Sequence, residues 1–215
     1  MLDLYGHPFS SYTWKALIAL YANVTPFTFR QVGPDHPENS ARVQAASPQG
    51  KFPLLVDGAL ELFEASVIIE HLARHHPGPA PLLPIDPDAA IATRMIDRVF
   101  DNYVMNAMQE SVDEVLREGT LGESMRARVE ARLHRSYRWI DGWLEGYAQP
   151  DGVSLIECAA APALFYADWV APIPDDCARL KAWRAHLLAL PPVSRCVEDA
   201  RPYRHYFPLG APDRD

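Results

Sequence analysis

Apolar positions recur along this chain at two periods, which alternate up to a proline-rich stretch after residue 76 and give way to the helical one beyond it. Residues 2–5 form a short apolar run suited to a buried strand, ended by Gly6-His7-Pro8. Ser10 or Ser11 then caps a helix in which Trp14, Leu17, Ile18 and Tyr21 fall at i, i+3, i+4 and i+7. Residues 27–32 are β-prone, and residues 35–47 are polar, which predicts a loop with a short helix. Residues 52–56 and 59–63 flank Asp57-Gly58, a strong two-residue hairpin signal, and a helix is expected over about 66–75. A strand-helix-strand order requires parallel pairing, while the hairpin adds an antiparallel edge.

Beyond that point the pattern is helical. The prolines of 77–84 and Asp86-Pro87 cannot continue a helix and predict a linker. Ile91, Met95, Val99 and Tyr103, with Met108, Val112 and Leu116 further on, form one expected core stripe. Val129, Leu133, Tyr137, Ile140 and Leu144 form a second. Ser154 and Glu157 have the spacing of a capping box ahead of the apolar run 158–164. Leu180, Trp183 and Leu187 continue the pattern until Pro191-Pro192 breaks it. The expected architecture is α/β plus all-α: a small mixed-sheet domain over 1–76, a linker over 77–88 and a helical domain over 89–215.

Composition narrows the classes without naming one. A chain of 215 residues, 48% hydrophobic and 22% charged, has enough apolar surface for a packed fold. A net charge of −8 argues against nucleic acid or an anionic membrane as the main partner. No run of about 18 apolar residues exists to span a bilayer. The first residues lack the basic and apolar segments of a signal peptide. Cys158, Cys177 and Cys196 are odd in number and widely spaced, which fits a reducing, cytoplasmic setting better than a disulfide framework.

The most informative segment is Gly50-Lys51-Phe52-Pro53, followed at Glu64 by the start of a helix. Pro53 has no N–H to give a sheet, and it pushes Phe52 into an extended backbone whose own N–H and C=O are free to pair. A cis bond is accessible there, because the trans preference before proline is only about 0.5–1 kcal/mol. An unpaired strand edge beside a helix N-terminus suits an extended peptide-like ligand carrying a carboxylate. His71, His75 and His76 invite a metal reading, but no acidic residue stands at ligand spacing, and a helix C-terminus already favours histidine. Asp57 is read as a turn residue.

In this order, these residues resemble the glutathione transferase superfamily, over nearly the whole chain. The resemblance implies a thioredoxin-like N-terminal domain with a mixed four-stranded sheet, an all-helical C-terminal domain, glutathione as co-substrate, no metal, and a homodimer. It implies that Phe9, Lys51, Phe52 and Pro53 meet the cysteinyl part of glutathione. Glu64, Ala65 and Ser66 would meet its γ-glutamyl end. The sequence departs from the family pattern here: the serine expected directly after Glu64 is Ala65, with Ser66 one position later. For an electrophile the implied site is Tyr12, Phe100, Tyr103, Asn106, Met108 and Trp169. Residues 203–208 are aromatic enough to fold back towards that cleft.

The chemistry so implied needs a thiolate, and an ordinary thiol has a pKa near 8.5. Holding it ionised at neutral pH requires about 3 kcal/mol. A hydroxyl donating to a charged sulfur supplies about 1.5–3 kcal/mol, and a helix N-terminus about 0.3–2 kcal/mol more. Serine-type family members place that hydroxyl between the first strand and first helix. This points to Ser10, five residues before Lys15, or to Ser11, with Tyr5 and Tyr12 as alternatives. No cysteine lies in this segment, which disfavours mixed-disulfide chemistry and excludes a Cys-x-x-Cys pair. The expected activity is conjugation of glutathione to a small apolar electrophile. The alternatives are glutathione-dependent isomerase or lyase chemistry, and a non-catalytic interaction protein on the same fold.

Overall fold

The computed structural model describes residues 2–215. Strand β1 (Leu2–Gly6) buries Leu2 and Leu4, and pairs in parallel with β2 (Phe27–Gln31), Leu4 standing opposite Phe29. On its other side β1 pairs antiparallel with β3 (Leu54–Asp57), which in turn pairs with β4 (Leu60–Phe63). The strand order is β2-β1-β3-β4, the mixed four-stranded sheet expected from the alternating pattern.

The hairpin differs from expectation by one residue. Asp57 pairs with Leu60, so the connecting residues are Gly58 and Ala59, and only Gly58 takes a left-handed backbone (φ 62°). Asp57 is therefore the last residue of β3, not a turn residue. Its Oδ2 meets His71 Nε2 at 2.9 Å and His76 Nε2 at 2.7 Å. The histidine cluster thus has an acidic neighbour, which spacing along the chain did not reveal.

Helix α1 (Ser11–Ala22) is buried from Thr13 to Leu20, because it packs against three other helices: α3 (Ala65–His75), α7 (Leu155–Val170) and α9 (Pro191–Ala200). The polar segment 35–47 is mostly helix, α2 (Pro37–Ala46), entered through a proline in its first turn and burying only Val43. Neither helix nor strand occupies 77–86, yet this stretch is fastened: Ala80 N donates to Asn23 Oδ1 at 2.8 Å, and Leu155 N to Leu82 O at 2.8 Å.

The helical half continues with α4 (Pro87–Val99), a π-helical segment Phe100–Met105, α5 (Asn106–Glu118), α6 (Glu123–Trp143) and α8 (Ala178–Ala189). The second expected stripe is buried at Val129, Leu133, Tyr137 and Ile140. The first is buried only at Val99 and Met108 and half-buried at Val112: Ile91, Met95, Tyr103 and Leu116 are 63%, 56%, 59% and 70% exposed. A strict four-residue repeat drifts by about 40° per step around a 3.6-residue helix. The buried side instead runs through Ala90, Thr93, Ile96, Asp97 and Phe100. Pro191-Pro192 follows the end of α8 as expected, and it also opens α9, with Leu190 ending α8 and capping α9 at once. One apolar core runs from β1 and α1 through to α7 and α9, so the two halves share their interior. Among the described residues no helix is long and apolar enough to cross a membrane.

Candidate active site

The loop from β1 to α1 is built by short-range hydrogen bonds. Ser10 has an extended backbone (φ −94°, ψ 125°), and its Oγ accepts from Thr13 N at 3.3 Å, making it the N-cap of α1. Trp14 Nε1 donates to Pro8 O at 2.5 Å, Tyr166 Oη to Phe9 O at 2.8 Å, and Phe9 N to His7 Nδ1 at 3.1 Å. The two backbone carbonyls ahead of Ser10 are thereby anchored. Ser11 is the first helical residue, and its hydroxyl makes no hydrogen bond among the described residues.

Across from this loop, Ser47 Oγ accepts from Lys51 N at 2.9 Å and so closes the turn that delivers the Phe52–Pro53 bond, which is cis. The N–H and C=O of Phe52 carry no hydrogen bond among the described residues, as expected of an edge ahead of a proline. The third wall is the start of α3. Glu64 is its N-cap with φ 71°, a left-handed backbone that a non-glycine residue rarely adopts. Glu64 makes no capping bond, and the N–H groups of Ala65, Ser66 and Val67 have no acceptor among the described residues. Unpaired N–H groups at a helix start form a ready anion site.

Ser66 does not turn towards this wall. Its Oγ accepts from Lys15 Nζ at 2.9 Å and donates to Asp97 Oδ2 at 2.9 Å. Lys15 is only 1% exposed, and it also meets Asp101 at 2.9 Å and pairs with Asp97. Arg98 closes the cluster from the cleft side, 2.5 Å from Asp97 Oδ2 and 2.7 Å from Asp101 Oδ2. Burial raises the Asp101 carboxyl above its ordinary pKa, with Lys15 opposing and Asp97 reinforcing the shift. This cluster ties α1 and α3 to α4 directly under the start of α3, and no spacing rule in the sequence pointed to it.

These walls enclose one cleft of about 760 Å³. It brings together Phe9, Ser10, Ser11, Tyr12, Lys51, Phe52, Pro53, Glu64 and Ala65 from the first half, and Asn106 and Met108 from the second. Five sequence candidates lie outside its lining. Ser66 belongs to the ion cluster. Phe100 is fully buried against Trp183, their ring centroids 5.9 Å apart. Tyr103 faces solvent, and Trp169 stands behind Phe9 and Phe207 at 6.4 and 5.2 Å. Tyr5 belongs to a small separate core with Val32, Val43 and Leu54.

The cleft also includes residues that the sequence reading missed. Asn102, Gln109 and Asp113 join the expected Asn106 in a polar stripe at i, i+4, i+7 and i+11, a legible helical signal of which only Asn106 was read. Burial, followed by the Asp101 charge, pushes the Tyr12 phenol above its ordinary pKa, so it stands in the cleft as a neutral hydroxyl. Of the aromatic tail, only Phe207 reaches the lining. Tyr203 stops against the His7 ring at 4.8 Å.

Residues 4–80 match the family described as "Glutathione S-transferase, N-terminal domain". A glutathione S-transferase from Methylobacterium radiotolerans, solved in complex with glutathione sulfonate, is 28% identical. It superposes with a TM-score of 0.73 over 91% of this chain and 94% of that one. Residues 4–80 belong to the glutathione S-transferase N-terminal domain family, and the chain as a whole has the fold of solved glutathione transferases. Its N-terminal sheet is accordingly of thioredoxin-like type, and the helical half matches their helical second part in fold. Among curated relatives, the "Uncharacterized GST-like protein YibF" of Escherichia coli is 29% identical over 192 residues, 88% of this chain and 91% of that protein. The "Stringent starvation protein A homolog" of Coxiella burnetii is 28% identical over 167 residues, 77% of this chain and 75% of that protein. The superfamily thus includes relatives whose names specify no transferase reaction.

Proposed function

We propose that this chain is a glutathione S-transferase in which a serine at the head of α1 holds the thiolate. What carries the reading is a single cleft bounded by the three features a thiol tripeptide requires. These are the unpaired backbone of Phe52 beside Pro53, the unpaired N–H groups at the start of α3, and two serine hydroxyls at the start of α1. In this proposal Phe52, with Phe9, Lys51 and Pro53, pairs the cysteinyl unit, while Glu64 and Ala65 receive the γ-glutamyl end. Ser66 acts indirectly, through the cluster that fixes α3 to α4. Residues 1–76 supply the glutathione side, 89–215 the electrophile side, and 77–88 connect them.

The Ser10 hydroxyl donates a hydrogen bond to the thiolate sulfur and keeps its proton, with Ser11 as the second donor. The thiol proton leaves to solvent, a sulfur lone pair forms the new bond to the electrophilic carbon, and the leaving group departs with the electrons of the broken bond. Tyr12, Asn106 and Met108 contact the electrophile together with Asn102, Gln109 and Phe207. Half of that wall is polar, which supports an electrophile with one hydrogen-bonding edge over a wholly apolar one.

Calorimetry with glutathione, followed by conjugation of an activated aryl halide, tests the proposal. Saturable binding is expected, and Ser10→Ala should lower turnover about 10- to 100-fold while changing affinity far less. Absence of saturable binding, or equal loss in both quantities, overturns it. Ala65 and the engagement of Ser66 elsewhere favour a second reading, a glutathione-binding interaction protein. Binding with no product supports that reading, and a rearranged substrate with glutathione intact supports isomerase or lyase chemistry.

We also infer a homodimer in a cytoplasmic setting. Leu60, Phe63 and Val67 are 46%, 38% and 47% exposed on β4 and α3, and Ile91, Met95 and Tyr103 are more exposed still on α4 and the π-helical segment. The Glu70–Arg94 ion pair (2.7 Å) holds α3 beside α4, the helices that carry Val67, Ile91 and Met95. An apolar face of this kind suits a second copy of the chain. The three free, buried cysteines support a reducing compartment.

A further inference from the structure

Three potential ligand atoms converge at the end of α3 away from the cleft. Asp57 Oδ2, His71 Nε2 and His76 Nε2 all lie within 4.8 Å of one another, the carboxylate oxygen standing 2.9 and 2.7 Å from the two nitrogens. None of the three residues lines the cleft. The geometry points to a divalent transition-metal site, of zinc type, formed by Asp57, His71 and His76.

Three physical arguments support it. The first is ligand chemistry. Two imidazole nitrogens and one carboxylate oxygen suit zinc, cobalt or nickel, whereas magnesium and calcium favour oxygen donors throughout. The second is size. Ligand atoms about 2.0–2.2 Å from zinc in a tetrahedral array stand about 3.3 Å apart. The observed 2.7 and 2.9 Å must open by only about half an ångström, a movement within the reach of side-chain torsions. The third is protonation and charge. Without metal, each imidazole can give an Nε2–H to the shared carboxylate oxygen. With metal, each moves its proton to Nδ1, which has no hydrogen-bond partner among the described residues for either histidine, and turns an Nε2 lone pair inward. No net proton need be lost. His76 is the C-cap of α3, where the helix dipole favours a cation, and His71 stands five residues before it.

The local fold explains why these residues meet. Asp57 is delivered by the last position of β3, and the two histidines by positions five apart in α3. The His75 ring lies 4.7 Å from the His71 ring, and this exposed side chain borders a fourth coordination position that water can also fill. A bound ion pins the β3–β4 hairpin to the end of α3. The opposite ends of these same elements carry Pro53 and Ala65, so the pin bears on the cleft without entering it.

The test uses the full chain, freed of metal by a chelator and titrated with zinc in calorimetry, and with cobalt by its visible absorption. One zinc per chain is expected, together with a higher melting temperature and a tetrahedral cobalt spectrum. Asp57→Asn and His76→Gln should each weaken zinc binding at least about tenfold, while His205→Gln, at a remote exposed histidine, leaves it unchanged. The cysteines are buried and do not contribute to the titration. If Asp57→Asn does not fold, His76→Gln decides alone, because that side chain is partly exposed and glutamine keeps a donor towards Asp57. No saturable zinc binding, or binding that survives His76→Gln, overturns the site.

Discussion

Ser10 uses both sides of one hydroxyl. Its oxygen accepts the Thr13 N–H at 3.3 Å and caps α1, which leaves its proton free to point at an anion in the cleft. If that anion is the glutathione sulfur, Ser10→Ala returns the thiol towards its ordinary pKa near 8.5. The loss of rate should then be largest near pH 6.5 and shrink as pH approaches 9, where the thiol ionises without help. A pH–rate profile of the variant checks this, and a loss independent of pH would assign Ser10 to capping alone. Both serines were legible in the sequence. Their division of labour was not, because it depends on where the chain turns into α1, and bonds from Trp14 and Tyr166 to the backbone of Pro8 and Phe9 set that turn. Ser66 makes the same point. Read along the chain it is the natural replacement for a missing hydroxyl at Ala65, but a buried lysine from α1 claims it.

Among the helices, α7 is the most heavily buried, and its N-terminus is correspondingly well satisfied. Ser154 N donates to Glu157 Oε2 at 2.8 Å, Ser154 Oγ donates to the same oxygen at 2.6 Å, and Ile156 N donates to Ser154 Oγ at 3.1 Å. Ser154→Ala should cost about 1–2 kcal/mol in urea unfolding, at the upper end for a cap, because Glu157 is fully buried and loses a partner. This element was legible because a capping box is local chemistry. The helix from α4 to α5 was legible in extent but not in phase. A π-helical segment interrupts it at Phe100–Met105, sending Phe100 inward and Asn102 and Asn106 to the cleft. No residue pattern in that stretch announces the change of period.

For the whole molecule, the apolar face on β4, α3 and α4 makes the assembly testable. Met95→Glu puts a charge in the middle of that face, and light scattering should show the mass of one chain for the variant against two for the parent. A parent that is monomeric at all concentrations would remove the dimer. A second prediction concerns alkaline stability. Burial raises the phenols of Tyr12, Tyr137, Tyr147 and Tyr166, and pushes Tyr21 up to about 12. An unfolded tyrosine ionises near pH 10, so above that pH the unfolded chain binds fewer protons than the folded one, and stability falls as pH rises. The urea midpoint should hold between pH 8 and 9.5 and drop by pH 11.

The sequence by itself determined the elements and their order. It also located the unpaired backbone edge at Phe52-Pro53, the helix start at Glu64 and the serines at the head of α1. All of these rest on backbone chemistry that acts within a few residues: a proline without an N–H, a cap, an alternating strand. Only the tertiary structure decided which side of α4 is interior, which partner Ser66 takes, and that Asp57 lies against His71 and His76. Those outcomes depend on elements distant in the chain meeting at fixed angles, and periodicity along one segment carries no information about what packs against it.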